Sequence, residues 1–139
     1  MNQTTTELSP GYLINNFPDV VTIIDKSGKI IFVNPSAHTI FKIDSQLLTN
    51  KNAIDFIHFG DRNNILKLVN ENIKKGKRNF NIQFRARFNK NQKWKWIESN
   101  GNIVFEKEIH FILNSLEIIK VKKSLSELDL HKNALMHTV

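Results

Sequence analysis

The chain has 139 residues, no cysteine, ten phenylalanines and a net charge of +7. That length holds one ordinary domain and an appendage, with enough apolar side chain to close a core, whereas two globular domains would be crowded. The missing cysteine excludes disulfides, zinc–thiolate sites and thiol nucleophiles, and no apolar run approaches the roughly 20 residues that cross a bilayer. Met1-Asn2-Gln3-Thr4-Thr5-Thr6 has neither the basic nor the apolar region of a signal peptide, so a soluble, cytoplasmic segment is expected.

The polar residues 1–11 read as a flexible N-terminus, with Ser9 as a cap and Pro10 as the first residue of a short helix. Leu13, Ile14 and Phe17 give that helix an apolar stripe, which predicts a lid on the outside of a sheet or on a second subunit. Two apolar, β-branched runs then flank Asp25-Lys26-Ser27-Gly28, whose glycine supplies the positive φ of a tight turn, so residues 20–33 predict an antiparallel hairpin. Asn34 is expected to cap the next helix and Pro35 to occupy its first position. Ala37, Ile40 and Phe41 form its apolar side, and Asp44 or Ser45 begins another short turn.

Residues 60–75 predict the longest internal helix. Its Ile65, Leu68, Val69 and Ile73 recur at intervals of three and four, and Lys74 and Lys75 suit the negative end of the helix dipole next to Gly76. Phe80, Ile82, Phe84, Ala86 and Phe88 then alternate with polar residues, the mark of a strand buried on one face. Asn89-Lys90-Asn91-Gln92 turns this strand into one over 94–102, and Glu106-Lys107-Glu108 turns that into one over 109–116. Five strands result, and they close into one antiparallel α+β sheet if the last pairs beside the first.

From Ile118 the period changes. Ile118, Val121, Leu125, Leu128, Leu135 and Val139 take a and d positions of a heptad, with Lys132 interrupting, so residues 118–139 predict a parallel coiled-coil helix. An amphipathic helix folded back on the sheet is the alternative.

His38, His58, His110, His131 and His137 are scattered over different predicted elements, which favours surface or cap roles over metal ligation. Asp55, Asp61 and Arg62 are the densest charged group and read as caps and a local ion pair, so no catalytic set is present. Lysines and arginines between 74 and 95 follow a helix end and a strand face without a recognition helix or stacking platform, so nucleic acid is not an expected partner.

The ordered series resembles the PAS family, the sensory-box domains. Val20 to Ala37, with Asp25, Gly28, Asn34, Pro35 and Ala37, is similar to the family's strand, Asp-x-x-Gly, strand, Asn-Pro-Ala opening. Asn52 to Arg62 resembles its short helix and His-Pro-Asp-Asp-Arg-type segment, with Phe59 and Gly60 in place of Pro-Asp. Lys93 to Gly101 resembles its aromatic-rich penultimate strand, and Glu117-Ile118-Ile119 stands where the family has Asp-Ile-Thr before an exit helix.

The resemblance covers roughly residues 12–119 and implies a five-stranded antiparallel sheet with helices on one face, an N-terminal cap helix and a C-terminal coiled-coil-type helix. It implies three parts: 1–11, a sensor domain over 12–117 and a signalling helix over 118–139. The implied role is sensory, in a larger bacterial-type signal-transduction protein such as a two-component system, without enzyme chemistry in this segment. A homodimer, a small-molecule ligand and an output domain in the same polypeptide follow as expected partners. A constitutive dimerisation or docking module with a filled core is the alternative.

Cysteinyl-flavin chemistry is excluded by composition. Haem is not expected, since haem-binding members carry a histidine on the long helix and residues 60–75 have none. No other cofactor is specified.

The implied ligand cavity lies between sheet and helices, with Phe32, Phe41, Ile65, Phe84, Ile97, Ser99, Leu113 and Ser115 as candidate lining. Ser99 and Ser115 are two hydroxyls in an apolar interior, each needing a partner. That partner is a ligand, or else backbone or a buried water while Phe32, Phe41, Phe84 and Ile65 fill the space. The residues favour the filled cavity. Glu117, Ile118, Val121, Leu125, Leu128 and Leu135 are the candidate relay and dimer positions.

Overall fold

The structure, a computed structural model, describes residues 10–15 and 18–118. Helix α1 (Pro10–Asn15) opens at Pro10, the residue expected at its first position, and Leu13 stands half exposed. Ser9 and Phe17 lie outside the described residues.

Strands β1 (Val20–Asp25) and β2 (Ile30–Val33) form the predicted hairpin. One oxygen of Asp25 organises the turn, accepting from the Ser27 amide at 2.9 Å, the Ser27 hydroxyl at 2.6 Å and the Lys29 amide at 3.0 Å, while Gly28 takes φ of 94°. The pairing is not regular. Ile23 faces Phe32 but Ile24 faces Ile30, so Ile31 is an extra residue bulged out of the ladder.

Helix α2 (Ser36–Ile40) starts after Pro35. The buried Asn34 clamps the start of β1, where its Oδ1 accepts from the Val21 amide at 2.9 Å and its Nδ2 donates to the Asp19 carbonyl at 3.0 Å. Helix α3 (Ser45–Leu48) is capped by Asp44 as expected, and a single 3₁₀ turn (Ala53–Phe56) is capped by Asn52.

Helix α4 (Phe59–Lys75) is capped by His58, whose Nδ1 accepts from the Gly60 amide at 3.0 Å. It stops at Gly76, which adopts the left-handed conformation with φ of 67°. Strands β3 (Asn79–Ala86), β4 (Lys95–Phe105) and β5 (Ile109–Glu117) follow, β4 running three residues beyond its predicted end. All pairings are antiparallel in the order β2-β1-β5-β4-β3, so the last strand does lie beside the first.

Val20, Ile97 and Ile103 are sealed in the core, and each such side chain contributes about 1.5–3 kcal/mol of burial. Ile118 is buried, and its amide donates to the Trp96 carbonyl at 2.8 Å, one step beyond β5. Val121, Leu125, Leu128, Leu135 and the rest of the heptad lie outside the described residues.

Candidate ligand cavity

Helix α4 crosses the sheet without burying any residue fully. Its predicted face is there, but Ile65, Leu68, Val69 and Ile73 are half-buried, because the helix stands off from the strands. The space beneath it is an apolar cavity of about 570 Å³, within the range of small-molecule sites. The filled interior favoured by composition is therefore not what forms.

The floor is built by the pleat. Inward-facing residues line up across strands as rows, one of them running Phe80, Gly101, Leu113, Thr22. Gly101 matters in that row, since a Cβ there would overlap the ring of Phe80, its cross-strand partner. Without it the ring lies back against the strand. One end wall is aromatic: Phe41 stacks on Phe88 at 4.8 Å between centroids, and Phe56 tilts against Phe88 at 5.6 Å.

Of the eight predicted lining residues, Phe41, Ile65, Phe84, Ile97, Leu113 and Ser115 border the cavity. Phe32 does not. The bulge at Ile31 moves Phe32 opposite Ile23 on the other face of the sheet and brings Val33 inward. Ser99 sits beside the cavity rather than on its wall, bonded to Ser115 across the ladder with 2.5 Å between hydroxyl oxygens. Each serine is thus the other's partner, an arrangement that needs neither ligand nor water.

The charged group near α4 also differs from expectation. Asp61 pairs with Arg85 of β3 at 2.8 Å rather than with Arg62, and its other oxygen accepts from the Arg85 amide at 2.8 Å and from Nε at 3.0 Å. The Arg85 guanidinium, by hydrogen bonding first and by charge second, holds the Asp61 carboxyl below the ordinary carboxylate value against the opposing effect of burial. Arg62 instead donates from Nε to the Ile57 carbonyl at 2.9 Å. These bonds tie the free edge of β3 to the start of α4, fixing one end of the cavity.

Outside the cavity, β3 and β4 present an aromatic–cationic surface that sequence reasoning passed over. Arg87 lies 4.4 Å from the Trp94 ring, Arg85 lies 5.4 Å from the Trp96 ring, and His58 meets Trp94 edge-on at 4.7 Å. Counting outward from the Asn89 to Gln92 turn pairs these residues. Among the described residues no group of histidine and carboxylate side chains could hold a metal, and no helix is long and apolar enough to cross a membrane.

The family model of the PAS fold matches residues 12–115. The chain belongs to the PAS family. It shares its fold with a PAS domain from a two-component sensor histidine kinase, at 17% identity and a TM-score of 0.62 over 85% of this chain and 100% of that one. The PAS domain of an HTR-like protein from Haloarcula marismortui gives 17% identity and 0.63, with the same coverage of 85% and 100%. A PAS domain from Colwellia psychrerythraea gives 17% and 0.66 over 79% of this chain and 94% of the other. No curated protein matches the sequence. As a PAS domain, the folded unit is a sensory-type module without a catalytic apparatus of its own.

Proposed function

We propose that this PAS domain detects a small molecule in the cavity under α4 and passes the signal through paired helices to an output domain of a larger signal-transduction protein. The observation that carries this reading is the path of β5. That strand supplies Phe111, Leu113 and Ser115 to the cavity or its wall and then runs to Glu117 and Ile118, the last of the described residues. A ligand pressed against β5 acts on the element that leads out.

Such a ligand shifts the output only if it binds one packing of the last strand more tightly than another, since equal binding to both moves nothing. Glu117 is the joint. Its carboxylate lies 3.6 Å from Lys95 Nζ on β4, so a change in β4–β5 pairing reaches the exit point through that contact and through the Ile118 amide. Beyond it the heptad residues Val121, Leu125, Leu128 and Leu135 supply a homodimer's coiled coil, with the output domain in the same polypeptide.

Leu113→Trp in the whole polypeptide tests the relay. The indole occupies the cavity from β5, so output should become fixed and independent of stimulus while the fold, checked by circular dichroism, is retained. An output that still responds normally would refute the relay and favour a constitutive dimerisation or docking module.

A further inference from the structure

The chemistry of the cavity wall selects among ligands, on the reading above that the cavity binds one. Lys26 is the single ionisable residue on the wall, and it lies in the exposed hairpin turn beside Asp25, where the cavity meets solvent. Ser27, Asn52 and Asn70 also line the cavity and are exposed. Behind them the wall offers two hydroxyls.

One of the two, Ser115, is already engaged with Ser99, which leaves at most one O–H between them for anything else. The other, Thr22, has no hydrogen-bond partner among the described residues. The remaining interior is hydrocarbon, and six of the ten phenylalanines border it. A charged group placed there would lose its hydration and find no counter-charge, a loss far larger than any single hydrogen bond returns. An apolar body loses nothing of the kind and gains by leaving water.

The floor adds shape. Because Gly101 has no side chain, the Phe80 ring lies back on the strand and leaves open the row that leads across Leu113 to Thr22. We propose that the cavity takes an uncharged, hydrocarbon-rich small molecule with one or at most two hydrogen-bonding groups, its body over Phe80 and Leu113 and one such group at Thr22.

The test is a fluorescence titration of the 139-residue chain with N-phenylnaphthylamine, which is uncharged and has one N–H, in competition with anilinonaphthalenesulfonate, which adds an anionic sulfonate to the same ring system. The neutral probe should saturate at about one per chain, and the sulfonate should need roughly tenfold or more higher concentration to displace it. Gly101→Ala forces the Phe80 ring into the cavity and should weaken the neutral probe by about tenfold, and adding Phe80→Leu should restore most of that loss. The comparison of the two probes needs no variant, so it stands even if Gly101→Ala does not fold.

Displacement by the sulfonate at equal concentration would overturn the ligand class while leaving the cavity as a binding site. Unchanged affinity in a folded Gly101→Ala would overturn the seat over Phe80. Absence of binding by either probe would overturn the ligand class and the cavity reading together.

Discussion

Removing one hydroxyl of the Ser99–Ser115 pair should destabilise the domain more than removing both. The oxygens lie 2.5 Å apart, with Ser99 at 0% exposure and Ser115 at 5%. Ser115→Ala leaves the Ser99 hydroxyl sealed behind the wall without its partner, which places the cost near the upper end of ~1–3 kcal/mol for an orphaned buried group. Ser99→Ala leaves Ser115 instead, and Ser115 borders the cavity, where water can replace the lost bond, so its cost should lie nearer ~1 kcal/mol. The double alanine variant removes both polar groups and should approach the wild type. Urea denaturation of the four proteins at one pH, with slopes compared as well as midpoints, measures all three differences. If the double variant costs the sum of the two singles, the hydroxyls are not each other's partner and this account of the core is wrong.

Two further predictions follow from the charged and apolar contacts. Asp61 has its carboxyl held below the ordinary value by Arg85, so its contribution to stability is complete above the unfolded-state value near ~4 and is lost as pH falls through the lower folded value. Between about pH 5 and pH 2, thermal melts should therefore show the wild type losing more stability than Asp61→Asn, and parallel acid limbs would refute the pairing. Val121→Glu with Leu128→Glu should convert a dimer to a monomer in sedimentation equilibrium, and an unchanged dimer would remove the heptad helix as the interface.

Much of the fold can be read from local chemistry. The strict alternation from Phe80 to Phe88 yields β3, the Asp25 to Gly28 turn yields the first hairpin, and closure of five strands yields the β1–β5 pairing. The Ser99–Ser115 pair was also within reach, since counting back from the Glu106 to Glu108 turn, one residue on each strand, brings them opposite. The bulge at Ile31 was not, because a single extra residue in an apolar run leaves the sequence pattern unchanged while turning Phe32 to the other face. Nor was the open cavity. Its height depends on how far α4 stands off, and its depth on a glycine that lets Phe80 lie flat, both set by contacts between segments distant in sequence.

The most direct test of the central claim is native mass spectrometry of the freshly purified chain, with denaturing mass spectrometry of whatever it releases. The account predicts a dimer that carries, or takes up when offered, one small uncharged molecule per chain. A chain that neither carries nor takes up any such molecule, with its β5 contacts unchanged, would contradict it.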